Sequence, residues 1–326
     1  MKRLFMGLVA ALFVLLLLVT SVRRAECSDE GFGGITKQGA TAPMPPDSIG
    51  LRSLAISNRG KIAVVGLGRD GRAHLWVCTN PRSDQDKRVL EPDQAWEPLC
   101  DERANHEDLK VSWCDEKTLL VLRCTGNRQD AHLVSSLFVQ ERPLTRTGDI
   151  TDCTAGDGEL VIAQNGGSRG GTIMSAGGLD GHFRAWLTRP GPVHSLGLYG
   201  ERRGARGIVS RLYWAEDHDG GKGSAIMASE LDASGCQQAV PGTRSVSALH
   251  PVLLDEDGGI RWMDLRGRME TWGPQRRGLM EWALSPWTWG GKARALVAEA
   301  ALVGISCDQL AIVGWDRRRG RIRTLE

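Results

Sequence analysis

Cysteine pairs at metal-ligand spacing are missing from this chain. Its eight cysteines (27, 78, 100, 114, 124, 153, 236 and 307) include no C-x-x-C. That removes the usual signature of a zinc ribbon or a thioredoxin-like redox site. H-E-x-x-H, which sets two histidines and a base on one helix face, is also missing. The seven histidines are scattered and form no local pair. An excess of charge of one sign is lacking too, with 41 basic and 39 acidic residues. Four basic residues and one acidic residue fall within 1–27, so the rest holds 37 and 38. A near-neutral body has no broad basic field for nucleic acid. Tyrosine and phenylalanine are scarce, 2 and 5 against 11 tryptophans. Long amphipathic helical patterns are scarce as well. Residues 292–304, KARALVAEAALVG, have the strongest helical propensity and read equally as two strands.

Glycine is abundant, 41 of 326 residues, which suits many tight turns. From residue 51 onward, apolar runs of strand length alternate with turn residues. KIAVVGL (61–67), AHLWVC (73–78), TLLVLRC (118–124), ELVIAQ (159–164), RLYWAED (211–217) and QLAIVGW (309–315) are examples. Asp-Gly, which supplies the positive φ of a hairpin turn, occurs at 70–71, 157–158, 180–181, 219–220 and 257–258. Trp76, Trp113, Trp186, Trp214, Trp262 and Trp315 recur at a ragged spacing of about forty residues, the length of a four-stranded propeller blade. Residues 51–326 then hold six blades, with seven the alternative, and the tryptophans fill the wedges between blades.

The N-terminus reads as a targeting segment. Lys2-Arg3 precedes an uncharged, mostly apolar stretch over 4–22, and Arg23-Arg24 follows. This is a cleaved signal or a retained membrane anchor, and either one exports the body. The expected organisation is a signal or anchor over 1–27, a linker over 28–50 and a β-propeller over 51–326. The location is then periplasmic, extracellular or membrane-anchored. Eight cysteines fit an oxidising compartment, and Cys78–Cys100 is the first candidate bridge. Ring closure is expected to pair the strand near 51–56 with the C-terminal segment.

Two segments resemble repeats of the YWTD propellers of the lipoprotein-receptor family. RLYWAEDHDGGKGSAIMASELDASGCQQAV (211–240) carries Leu212-Tyr213-Trp214, Asp217, Ile226, Leu231-Asp232 and Gly235. HPVLLDEDGGIRWMDLRGRMETW (250–272) carries an Asp-Gly turn and Ile260-Arg261-Trp262-Met263-Asp264. Residues 53–78 are similar to a repeat of the TolB type. The resemblance implies an architecture of six blades and no particular ligand. Ala215-Glu216 and Met263 depart from the threonine step of the motif. The WD-repeat pattern is weaker, with one Gly181-His182 and one Trp315-Asp316 in different units.

Three motifs bear on chemistry. Gly66, Gly68 and Gly71 spell G-x-G-x-x-G after a strand. A dinucleotide site needs a long helix next, yet the chain continues as an alternating β-rich segment that stops at Pro81. The expected structure is a hairpin turning at Arg69-Asp70-Gly71. Asp217-His218-Asp219 and Asp255-Glu256-Asp257 offer hard oxygen donors that suit calcium, without EF-hand spacing. Arg317-Arg318-Arg319, Arg321 and Arg323 form a cluster that suits an anionic polymer or lipid headgroup, or a charged strand edge. No catalytic or cofactor-binding residue is assigned. The expected function is a non-catalytic binding or scaffold propeller of the envelope or extracellular space, engaging a protein partner. The alternative is a calcium-dependent propeller hydrolase acting on a lactone or ester.

Overall fold

A computed structural model of the chain describes residues 40–78, 82–83, 95–99, 105–136, 141–156, 158–165, 170–202, 208–218, 223–231, 235–247, 253–254, 260–266, 268–273, 300–308 and 311–325. The chain divides into Met1–Thr36 and Lys37–Glu326, and the described residues all belong to the second unit. They are all-β.

The strands, in chain order, follow one plan. After β1 (Ala40–Pro43), the first sheet holds β2 (Ser48–Ile56), β3 (Ile62–Gly68) and β4 (Ala73–Cys78). Next come β5 (Arg82–Ser83) and β6 (Glu97–Pro98), of which β6 completes that sheet. The second sheet is β7 (Glu107–Trp113), β8 (Thr118–Thr125), β9 (Arg128–Ser135) and β10 (Glu141–Pro143). The third is β11 (Ile150–Gly156), β12 (Glu159–Asn165), β13 (Gly171–Gly177) and β14 (Arg184–Arg189). The fourth is β15 (Val193–Arg202), β16 (Ile208–His218), β17 (Gly223–Glu230) and β18 (Gln237–Gln238). A shorter sheet follows, β19 (Leu253–Leu254), β20 (Ile260–Met263) and β21 (Met269–Trp272). The last contains β22 (Leu302–Ile305), β23 (Ile312–Asp316) and β24 (Arg321–Leu325), extended by β1 and β5. Neighbouring strands run antiparallel within each sheet, which is the meander of a β-propeller blade.

Turn chemistry explains the hairpins. The G-x-G-x-x-G segment forms β3, a turn and β4, as expected. Gly71 sits at φ 79° and Gly68 N donates to Arg72 O at 2.8 Å. Gly158 and Gly181 take φ 78° and 76° in the turns at two further Asp-Gly pairs. Such values are costly for a residue with a Cβ.

Apolar side chains pack between successive sheets. One cluster joins Val65, Leu75 and Trp113 of the first and second sheets. Another joins Ile162, Leu120 and Ile150 of the second and third. A third joins Ile173, Leu212 and Trp214 of the third and fourth. Trp315 packs with Ile62 and Ile322 between the last sheet and the first. Trp76 and Trp186 are half-buried against these clusters. The tryptophans therefore do the wedge-filling expected of them.

Two expectations need correction. Five sheets have four or more strands, and the β19–β21 sheet has three among the described residues, so five full blades are described rather than six. That sheet is made of strands of two, four and four residues. The body also starts before residue 51, since β1 and the start of β2 fall inside the expected linker. β1, not 51–56, closes the ring: Thr41 pairs with Arg323 and Pro43 with Arg321. Ala42 is buried beside Ile322 and Trp315, and Trp96 Nε1 donates to Pro43 O at 2.9 Å. Pro43 lies beyond the two residues that pair with β5, so its missing N–H faces no strand. The segment 292–304 yields β22 at its end, and its residues 292–299 lie outside the described residues.

Candidate functional site

The first strands of five sheets, β2, β7, β11, β15 and β22, wall one axial cavity of about 490 Å³. Turns that leave four of these strands line its mouth, through Asn58, Asp115, Glu116, Gly158 and Cys307. Four of the five strands carry a register shift, at Leu51/Ser53, Asp108/Lys110, Ile150/Asp152 and His194/Gly197. A bulge re-aims side chains locally.

A buried ion pair joins three of these strands. Lys110 Nζ of β7 donates to Asp152 Oδ1 and Oδ2 of β11, at 2.8 and 3.0 Å. It also donates to Leu196 O of β15 at 2.8 Å. Asp152 accepts in turn from Leu196 N at 2.6 Å and from its neighbour Cys153 N at 2.7 Å. With four hydrogen bonds from three donors on one carboxylate and its charge matched, the pair meets the condition for burial. The Cys153 thiol is pushed far up by burial, then by Asp152, with Lys110 opposing. It is therefore held as the unreactive thiol.

The same bulge assembles His194, Ser195 and Asp217, which no sequence spacing announced. Ser195 Oγ lies 2.9 Å from His194 Nδ1, and His194 Nε2 lies 2.9 Å from Asp217 Oδ1. The set has triad composition, but its chemistry is different. Ser195 is fully buried, and Ser247 O and the imidazole Nδ1, both at 2.9 Å, lie within reach of its one hydroxyl hydrogen. A hydroxyl with no open face and a backbone carbonyl beside it presents nothing to a substrate, unlike a triad serine. Ser195 also sits at φ 56°, a conformation costing ~1–3 kcal/mol for a residue with a Cβ. The contacts to Asp152, Lys110 and Ser247 hold this strained bulge in place. The hydrogen bond from His194 lowers the Asp217 pKa, burial opposes this, and Ser224 Oγ donates to the same oxygen at 2.7 Å.

A second polar row crosses the second sheet. Arg123, nearly fully buried, donates from Nε to Asp108 Oδ1 at 2.6 Å and meets Glu141 with Nη1. His132 Nδ1 stands 2.6 Å from Glu141 Oε1. The His132 hydrogen bond, with burial opposing and Arg123 assisting, brings Glu141 down to about 2.

The residues singled out from sequence do not form one site. Cys78 is buried at the end of β4, and Cys100 lies outside the described residues. Asp217 is committed to His194 and Ser224, while Asp219 and residues 255–257 lie outside the described residues. Among the described residues no group of three or more His, Cys, Asp or Glu is placed to hold a metal ion. No helix among them is long and apolar enough to cross a membrane, and residues 4–22 lie outside that set. A G-x-S-x-G string spans residues 166–170 between antiparallel β12 and β13. The nucleophile elbow needs a strand-to-helix turn, and residues 166–169 are outside the described set.

No protein-family model matches the chain, and no curated protein is significantly similar to it. Solved structures with a similar fold include a nidogen/laminin complex, at TM-score 0.48 and 10% identity over 69% of this chain and 76% of the other. TolB from Acinetobacter baumannii gives 0.48 and 11% over 70% of this chain, which spans 55% of the TolB chain. Virginiamycin B lyase from Staphylococcus aureus gives 0.44 and 9% over 89% and 99%. These likenesses are at the level of fold, and the strand order defines the class as a β-propeller.

Proposed function

We propose that this chain is a six-bladed, non-catalytic propeller that binds another exported protein at the mouth of its axial cavity. The observation that carries the reading is the cavity itself, about 490 Å³ and walled by inner strands of five sheets. Asp152, which lies behind the wall residues Lys110 and Leu196, is neutralised by Lys110 and held by two backbone N–H groups. It has little capacity left for a catalytic metal. For the blade count, the support is the cluster that sets Trp262 and Ile260 of the three-stranded sheet between Tyr213 of the fourth sheet and Ile312 of the last. The export reading rests on residues 4–22, and intact mass of the mature protein separates a cleaved signal from a retained anchor.

The test is a cavity block. Ser112, half-buried on the cavity wall, is replaced by Trp. Affinity capture from envelope extract should recover a stoichiometric protein with the parent chain and lose it with Ser112→Trp, while the melting temperature holds. Stoichiometric calcium with lactonase or esterase turnover in the purified parent would replace this reading with the hydrolase. The Cys78–Cys100 bridge is part of the proposal, and a non-reducing peptide map checks it.

A further inference from the structure

The two ends of the strands differ in chemistry. The described turns between first and second strands, in the first, second, third and last sheets, lie at the cavity mouth. The described turns between second and third strands lie at the opposite end, because neighbouring strands are antiparallel. Four of these far turns are described, in four consecutive sheets around the ring, and each one exposes arginine. The β3–β4 turn exposes Arg69 and Arg72, and Arg128 follows the β8–β9 turn. The β20–β21 turn exposes Arg266 and Arg268, and the β23–β24 turn exposes Arg317, Arg318 and Arg319.

The acids in these turns act inward on the backbone. Asp70 Oδ1 accepts from Arg72 N at 3.0 Å. Asp264 Oδ1 accepts from Arg266 N and Arg268 N, both at 2.8 Å, and its Oδ2 pairs with the Arg268 guanidinium. Asp316 Oδ1 accepts from Arg318 N and Arg319 N, both at 3.1 Å. Its other oxygen meets the guanidinium groups of Arg319 and Arg323 only at 3.7 and 3.9 Å. The aspartates fix three of the four turns. The Arg268 guanidinium folds back on Asp264 and that of Arg128 donates to Arg146 O at 2.6 Å, while Arg69, Arg72, Arg266 and Arg317–Arg319 stand exposed.

Exposed apolar side chains share this end. Among the described residues the large hydrophobics that stand exposed are Ile49 and Leu265, at 62% and 70%. Leu265 is in the β20–β21 turn itself. Ile49 is the second residue of β2, next to the β3–β4 turn, where Ser48 pairs with Gly68. Outward arginines with interspersed large apolar side chains are the composition of a surface that settles onto a charged interface.

We propose that this end of the propeller docks on an anionic lipid bilayer, which leaves the cavity mouth facing away from the lipid and open to a soluble partner. The inference rests partly on the reading of residues 4–22 as a membrane segment and of the mouth as the binding end. Chain length permits the arrangement. Ala40 enters β1 at the mouth end, and β1 spans four residues, about 13 Å. Residues 23–39 reach at most about 60 Å when extended, which exceeds that span.

The experiment uses the full chain reconstituted in vesicles of phosphatidylcholine alone and of phosphatidylcholine with about one third phosphatidylglycerol. An arginine-directed dicarbonyl reagent is applied, and labelling at each arginine is read by mass spectrometry. Labelling at 266, 268 and 317–319 should fall about five-fold or more in the anionic vesicles and recover at about 0.5 M salt. Arg59, exposed in the turn between β2 and β3 at the mouth end, should label equally in both. The Ile49→Ser/Leu265→Ser double variant, which alters exposed positions, should lose part of the protection. Equal labelling at 317–319 in the two vesicles overturns the proposal. So does equal protection by soluble polyphosphate in neutral vesicles, which reassigns the face to a free polyanion. Alkaline carbonate extraction tests the membrane segment separately. A chain released by carbonate yet protected by anionic lipid removes the anchor and supports the docking face.

Discussion

A few buried charges fasten the inner strands to one another. Lys110 and Asp152 are nearly fully buried and exchange short hydrogen bonds. Removing one partner strands the other charge, so Lys110→Met should cost ~3–5 kcal/mol in urea unfolding. The Lys110→Met/Asp152→Leu double variant should cost clearly less than the sum of the single changes, giving a large coupling in a double-mutant cycle. Additive costs would mean that the two residues act independently. Glu141 predicts an acid response of definite sign. Its carboxyl titrates at about 2 in the folded chain, against an ordinary 4.5. Between those values the unfolded chain binds the extra proton, so stability rises with pH across this window. The contribution is complete above about 4.5 and disappears as the pH falls through about 2. Glu141→Gln should flatten this part of the stability-against-pH curve. The carboxylate is 41% exposed, so the effect is screened and smaller than a buried pair would give. The Cys153 thiol should resist a disulfide reagent in the native state and react on unfolding, because burial holds it protonated.

Turn geometry and backbone approach matter most at the scale of the strand. Gly170 sits at φ 88°, and a Cβ there would collide with the carbonyl oxygen of Arg189 on the neighbouring β14. Gly170→Ala therefore meets strain and a clash together, and about 2 kcal/mol or more should be lost in thermal or urea unfolding. Gly158→Ala meets open space at φ 78° and should lose only the smaller conformational part. The contrast between the two variants isolates the clash. Strands bounded by Asp-Gly or by a β-branched alternating run were legible in the sequence, as the hairpin of β3 and β4 shows. β11, β13 and β15 were harder to read. ITDCTAG, GTIMSAG and VHSLGLYGER are rich in small and polar residues, because inner and central strands crowd one another and the axis takes polar side chains at bulges. β1 was hidden by composition. ATAP looks like linker, and only its partner β24, some 280 residues later, makes it a strand. The His194, Ser195 and Asp217 grouping was equally illegible, since it depends on a bulge and on Ser247 from a distant loop.

Closure holds the whole ring together. β24 is hydrogen-bonded to β23 on one side and to β1 on the other, so the last strand of the chain carries the first. The core they share, with Ala42, Leu54, Val313 and Ile322, also buries the inner face of the first sheet. A propeller cut at this point exposes two sheet edges and two apolar faces at once. Pairing of strands so distant in sequence is also slow to form, because loop closure precedes the contacts that offset it. Deleting residues 312–325 should therefore broaden and lower the melt of the entire body, with Trp214 losing its native environment together with Trp76 and Trp96 of the core that β24 shares. Deleting 40–43 alone should lower the melting temperature by less, since β23 and β24 stay paired. If sheets two to four kept an unchanged, cooperative transition without β24, they would form a unit that does not need the closed ring. A truncation series read by both tryptophan fluorescence and circular dichroism distinguishes the outcomes, because a closed ring makes the two probes lose their signals at one temperature and an open stack separates them.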